Sequence, residues 1–211
     1  MRPVDKSRYR NNRESYRPYG SAKGDLIAAI GGYCSYCERQ GFYSALAVEH
    51  IKDKSSYPQF KHAWDNFLLS CTNCNSIKTT KDIAGVLLPD RDDTYSALRY
   101  EEAGFVLLAP GLDDALSAST QRLIDLVGLN RIKGRDGYSG NDDLWPRRKK
   151  AWQTAQRFLA KYLQGRCDIE TVIELATAAG FWSVWMQVFS EQNAVQDALV
   201  AAFPGTRKTL F

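Results

Sequence analysis

Apolar and polar positions divide the chain into three regimes. Residues 1–23 show no regular alternation. Arg2, Lys6, Arg8, Arg10, Arg13 and Arg17 are interleaved with Tyr9, Tyr16 and Tyr19. This reads as an extended basic arm that either packs along a domain surface or contacts phosphate or a partner protein. From residue 24, short apolar runs alternate with turn signals. GDLIAAIGGY (24–33) predicts a short helix stopped by Gly31 and Gly32, because glycine adopts the left-handed backbone that ends helices. FYSALAVEHI (42–51) alternates as a strand does. NFLL (66–69) is a second apolar run, and the polar stretch 52–64 predicts a long loop between the two. SCTNCNSIKTTKDIAGVLL leads from a turn into a helix. YSALRYE and FVLLA, separated by a turn at Glu102–Gly104, predict a hairpin over 95–109. Leu116, Leu123, Ile124 and Val127 predict an amphipathic helix over 113–128, ended by Gly128.

Beyond about residue 139 the helical period dominates. Ser139 to Asp143 supplies capping groups, and Leu144, Ala151, Trp152, Ala155, Phe158, Leu159 and Tyr162 form one stripe. Asp168 is positioned to cap a further helix containing Val172, Ile173 and Leu175. The segment 181–189, with Trp182 and Trp185, predicts core in preference to an exposed docking face. The last helix should end before Pro204. PDRDDT, within 85–95, reads as an exposed linker. The division expected is an arm (1–23), a small mixed module (24–90) and a hairpin plus helical region (91–211) that docks a partner or nucleic acid. The class is α+β.

Composition narrows the function classes. The 211 residues are 44% hydrophobic and carry a formal charge of +4. A mildly basic chain permits nucleic-acid binding without requiring it. Arg147, Arg148, Lys149, Lys150, Arg157 and Lys161 predict either a solvated helix face or a phosphate-tracking surface. No apolar stretch approaches the roughly 18 residues of a membrane span, and the first residues lack the apolar core of a secretion leader. A cytoplasmic location is therefore expected, where the five cysteines would not serve disulfides. Cys167 stands alone and is expected as a buried small hydrophobe. Cys34-x-x-Cys37 and Cys71-x-x-Cys74 have the spacing of two zinc knuckles. Four thiolates close a tetrahedral Zn²⁺ site with no open position for water, so that metal is expected to be structural.

Between and after the knuckles lie the groups that carry chemistry: Glu49 and His50 together, Asn66 at the start of the second apolar run, Asn75 directly after Cys74, and Lys78 one turn on. Phosphodiester hydrolysis needs an activated water and neutralisation of phosphate charge. A neutral histidine can take the proton. A carboxylate and an amide oxygen can hold a hard divalent ion, and a lysine can face the phosphate. Asn73 competes with Asn75 for the ligand role. His62, in the variable loop, is not expected to take a catalytic part.

The run C-x-x-C, EHI, N-F-L-L-x-C-x-x-C-N-x-x-K over residues 34–78 resembles the zinc-bound branch of the HNH endonuclease family. The resemblance implies a β-hairpin followed by a helix with one catalytic metal ion between them. It implies His50 as general base, Glu49 and Asn75 as metal ligands, Asn66 as a brace of the loop between the strands, and Lys78 near the phosphate. Glu stands where the family more often has Asp, and Asn where many members have a second His. That harder donor set favours Mg²⁺ or Mn²⁺ as the catalytic ion. More broadly, the MRPV start, the LVGLNR segment (Leu126 to Arg131) and the FPGT near the end are similar to HNH nuclease subunits of Septu and retron-type bacterial anti-phage systems. That likeness implies an SMC-like ATPase as partner, and DNA is the substrate expected first. A non-catalytic zinc module binding nucleic acid or protein, and an HNH nickase or RNase, are the competing readings.

Overall fold

The computed structural model describes residues 1–7, 9 and 13–207. Arg8 and Arg10 of the basic arm lie outside the described residues. Helix α1 (Lys23–Ile30) ends at Gly31, whose φ of +78° reverses the chain into the first cysteine pair. A Cβ at that position would stand 2.9 Å from the Tyr33 ring, so glycine is required twice over. Strand β1 (Leu46–His50) pairs antiparallel with β2 (Phe67–Cys71), in a register that sets Leu46 opposite Cys71 and His50 opposite Phe67. The strand expected over 42–51 is shorter because Tyr43–Ala45 coils into a 3-10 turn before it. Helix α2 (Thr72–Lys78) follows β2 directly, completing a ββα unit.

The rest follows the helical and hairpin patterns closely. Strands β3 (Leu98–Tyr100) and β4 (Val106–Leu108) form the second hairpin. Helix α3 (Asp114–Leu126) is capped by the Asp113 carboxylate, which accepts from Leu116 N at 2.8 Å. Helix α4 (Leu144–Leu163) runs 20 residues. Asp168 caps α5 (Ile169–Ala179) through Thr171 N at 2.9 Å, and α6 (Trp182–Val188) and α7 (Asn193–Ala202) close the chain before Pro204. The class is α+β, with two small antiparallel sheets and a helical C-terminal region. Among the described residues no helix is long and apolar enough to cross a membrane.

Three expectations are corrected by burial. The basic arm does not merely lie along the surface: Met1, Val4 and Tyr16 belong to the main core. Two of its cations, Arg2 and Lys6, are buried and spent on main-chain carbonyls, which must be satisfied once buried. The Arg2 guanidinium donates to Ile30 O (2.6 Å) and Pro204 O (2.7 Å), and Lys6 Nζ to Trp64 O (3.2 Å) and Asp65 O (3.3 Å). The segment read as an exposed linker is anchored by buried Leu87, Leu88 and Thr94, and Val4 N donates to Pro89 O at 2.7 Å. Arg148 is not on the polar face of α4. It is buried and donates to Gly104 O (3.0 Å) and Leu129 O (2.9 Å), fastening the hairpin turn to the end of α3. The other basic residues of that helix are less deeply placed. Arg147 pairs with Asp143, and Lys149 lies over the Trp145 ring.

One core joins the first residues, the ββα unit, the second hairpin, α3 and the start of α4. A second gathers Ala155, α5, α6 and α7 around fully buried Trp182, Trp185 and Phe189, which settles the aromatic segment as core. Cys167 is half-buried, its thiol 3.6 Å from Phe158 O.

Candidate active site

The two cysteine pairs meet because the register of β1 and β2 carries the second pair, at the β2–α2 junction, up to the turn after α1. All four Sγ atoms are buried and lie within 4.8 Å of one another. Cys37 Sγ and Cys71 Sγ are 3.8 Å apart. Tetrahedral zinc, with Zn–S of about 2.3 Å, sets its sulfurs roughly 3.8 Å apart. The cluster therefore fits a zinc ion, and its four sulfurs fill the coordination sphere. Four thiolates around a dication would leave net negative charge, and a buried cation lies beside the sulfurs. Arg131 Nη1 is 3.6 Å from Cys74 Sγ, while Arg131 Nε pairs with the buried Asp142 carboxylate. Asp142 in turn accepts from Asn73 Nδ2 at 2.9 Å and from Leu144 N at 2.9 Å.

Glu49 and His50 end β1 and line a cavity of about 380 Å³ together with Asn75, Tyr19, Lys23 and Lys54. His50 Nε2 lies 3.0 Å from Lys61 O. A carbonyl can only accept, so Nε2 carries the hydrogen and Nδ1 keeps the lone pair of the neutral ring. The edges of Tyr19 and Phe67 meet the ring at centroid distances of 4.7 and 5.2 Å, fixing its plane. Burial pulls the His50 imidazole below its ordinary value, favouring the neutral form, while the hydrogen bond to Lys61 O opposes this.

Glu49 is 3% exposed. Its Oε1 accepts from Lys78 Nζ at 2.7 Å and from Tyr36 OH at 3.4 Å. Burial raises the carboxyl above its usual range against the opposing pull of Lys78 and Tyr36. Among the described residues no hydrogen bond is made to Oε2. Asn75 is exposed at the cavity and one residue past Cys74 of the sulfur cluster. Asn73, the competing candidate, is turned away to Asp142. One carboxylate oxygen and one amide oxygen suit a hard ion that keeps several waters, which is the habit of Mg²⁺.

Asn66 lies beneath the loop. Its Nδ2 donates to Lys52 O (2.9 Å) and Phe60 O (3.3 Å), and its Oδ1 accepts from Lys52 N (2.8 Å). One side chain thus ties both ends of the 52–60 segment. Lys78 is placed differently from the expected phosphate-side position. It is 1% exposed, and its ammonium is divided between Glu49 Oε1 and His50 O at 2.9 Å. The short α2 directs it inward, under the end of β1, where it supports the two adjacent residues. His62 is outside the cavity, with Nδ1 2.8 Å from Tyr16 O.

Residues 34–81 match the family model of the HNH endonuclease. The matched segment contains the two knuckles, both strands of the first hairpin and α2. No curated protein matches the chain at a significant level.

Sequence reasoning missed four participants: Tyr36, Tyr19, Arg131 and Asp142. Tyr36 sits inside the first knuckle, and its position between two ligands was the available signal. Arg131 and Asp142 lie more than fifty residues beyond Cys74, and nothing local in the sequence pairs them with it.

Proposed function

We propose that the chain is a metal-dependent endonuclease that hydrolyses phosphodiester bonds in DNA, with His50 as general base and Glu49 and Asn75 as ligands of a Mg²⁺ or Mn²⁺ ion. The observation that carries the reading is the orientation of His50. Its Nε2 is tied to Lys61 O, so Nδ1 is free to accept a proton within the cavity shared with Glu49 and Asn75. In the reaction His50 Nδ1 takes a proton from water, the water oxygen attacks phosphorus, and the bond to the leaving oxygen breaks. Tyr19 and Phe67 hold the ring in plane, and Asn66 holds the loop that supplies the Lys61 carbonyl. Lys78 and Tyr36 fix one oxygen of Glu49, so that the other keeps a set direction. When bound, the divalent ion supplies charge neutralisation at the phosphate and the leaving oxygen.

A finer reading is that this nuclease acts in the cytoplasm as the effector of a bacterial anti-phage complex with an SMC-like ATPase partner. Its support is the likeness of the short segments outside the module, above all Leu126 to Arg131. The test asks first whether an SMC-like ATPase is encoded beside the chain, and then reconstitutes the two together. Cleavage indifferent to that ATPase and to ATP removes this part of the proposal.

The catalytic reading is tested with His50→Ala. Plasmid nicking and linearisation in Mg²⁺ or Mn²⁺ should fall by at least about 100-fold, the ordinary contribution of a general base, while zinc content and thermal unfolding stay at wild-type values. Cleavage at the wild-type rate would overturn the assignment. A wild-type protein that binds DNA but cuts neither DNA nor RNA would leave the non-catalytic binding reading.

A further inference from the structure

The four exposed aromatic side chains among the described residues are Phe42, Tyr43, Tyr57 and Phe60, all within the matched segment 34–81. Phe42 is 86% exposed. Single exposed rings are ordinary, but several grouped in one segment mark an interaction surface. Lysines are interleaved with these rings. Lys23 Nζ stands 4.7 Å from the Tyr43 ring centre, and Lys52 Nζ stands 4.7 Å from Phe60 and 5.7 Å from Tyr57. Next to His50, Lys54 Nζ lies 4.8 Å from the Tyr19 ring centre.

These pairs are continuous with the cavity. Lys23, Tyr19 and Lys54 line it beside His50. An adjoining groove, lined by Lys52, Tyr57 and Lys81, shares Asp53 and Thr80 with it. The two carboxylates along the groove are occupied locally. Asp53 accepts from Ser55 N and Ser56 N, and Asp82 from Ala84 N. Along the two hollows Lys23, Lys52, Lys54 and Lys81 outnumber the carboxylates Glu49, Asp53 and Asp82, and rings are set beside Lys23, Lys52 and Lys54.

We propose that this aromatic and lysine track binds an unpaired nucleic-acid strand, and that the site cuts single-stranded or locally unwound substrate in preference to intact duplex. Lysines follow the phosphates, and ring faces stack on bases. A duplex hides its base faces within the stack, so it offers phosphate to the lysines but nothing to Phe42 or Tyr57. Charge complementarity and continuity with the cavity select nucleic acid as the occupant. The inference rests on the nucleic-acid reading of that cavity.

The test measures binding and cutting separately. Fluorescence anisotropy of the full chain, with no added divalent ion, is read with a labelled 20-nucleotide oligothymidine and with a 20-base-pair duplex. The single strand should bind at least ten-fold tighter. Phe42→Ala and Tyr57→Ala should each weaken it by roughly five-fold or more and leave duplex affinity unchanged. Both positions are exposed, so unchanged thermal unfolding confirms that folding is intact. Equal or tighter duplex binding, or aromatic variants that bind the single strand like wild type, would overturn the proposal. Single-strand binding that depends on the rings, in a protein that cuts nothing, would sustain the track and sink the nuclease. Duplex cutting unaffected by loss of the rings would do the reverse.

Discussion

Lys78→Met tests how the site is supported. Lys78 and Glu49 form a buried pair at 2.7 Å, with the two side chains 1% and 3% exposed, and the same ammonium donates to His50 O at 2.9 Å. Methionine keeps the apolar stem of the side chain, ends one heavy atom short, and removes the charge and its donors. What remains is a carboxylate with Tyr36 OH as its sole protein donor among the described residues, and a main-chain carbonyl that has lost a partner. Removing one member of a buried pair costs about 3–5 kcal/mol, because the other is left uncompensated. Glu49 borders the cavity and can draw water to Oε1, so the lower end, about 3 kcal/mol, is expected. Adding Glu49→Gln removes the stranded charge. The double variant should then be more stable than Lys78→Met alone by about 2 kcal/mol, a coupling that additive sites do not show. Urea denaturation of the zinc-loaded protein measures all four corners of the cycle. A loss below about 1 kcal/mol in Lys78→Met, or no recovery in the double variant, would refute the view that Lys78 supports Glu49, and would return it to the phosphate side.

Other outcomes follow from the same geometry. Cys71→Ser should leave the purified chain with substoichiometric zinc by elemental analysis and a lower midpoint of thermal unfolding, whereas a fully folded zinc-free variant contradicts a structural role. Arg131→Met should weaken zinc roughly 10–100-fold in chelator competition, the usual effect of losing a group that supports metal ligands; wild-type affinity would make Arg131 a packing residue only. Asn66→Ala removes the donors and acceptor that tie Lys52 and Phe60 and should cost about 2 kcal/mol, with a larger proportional loss of cleavage than His62→Ala, which should cut normally.

Local signals in the sequence were enough for the elements, since caps and stops are local chemistry. Asp113 and Asp168 cap the helices they precede, and Gly31 ends α1 in the left-handed conformation that glycine permits. The cysteine spacing also led to the right cluster, because two tight turns leave four thiolates few other ways to pack. What was not legible is how residues far apart in sequence satisfy buried charge. Arg2, Lys6 and Arg148 carry the composition of a phosphate-binding surface, yet their partners are carbonyls in other segments. Composition cannot tell a cation that faces water from one that closes a carbonyl cage. Lys78 was misplaced for the same reason. Its position one turn past Asn75 was clear, but which side of a seven-residue helix faces the core depends on what packs there.

The same long-range contacts bear on how residues 34–81 relate to the rest of the chain. Residues 34–81 look self-sufficient in sequence, with their own zinc frame and hairpin, but the frame is held from outside. Arg131, just beyond α3, touches Cys74, and Asp142, before α4, joins Arg131 to Asn73 while capping Leu144 N. On the other knuckle, Glu38 accepts from Ser183 Oγ at 2.6 Å and Phe181 N donates to Glu38 O at 2.9 Å. There Gly180 approaches so closely that a Cβ would meet Glu38 O at 2.5 Å. Each zinc knuckle is thus gripped by a different part of the helical region, and α2, which carries Asn75 and Lys78, starts directly from the second. A shift of α4 or α6 would act on the knuckles first, and through α2 on Asn75 at the cavity and on Lys78 beneath Glu49. If a partner regulates cleavage, the helices of residues 142–183 give it a mechanical route to the site that needs no contact with the cavity itself.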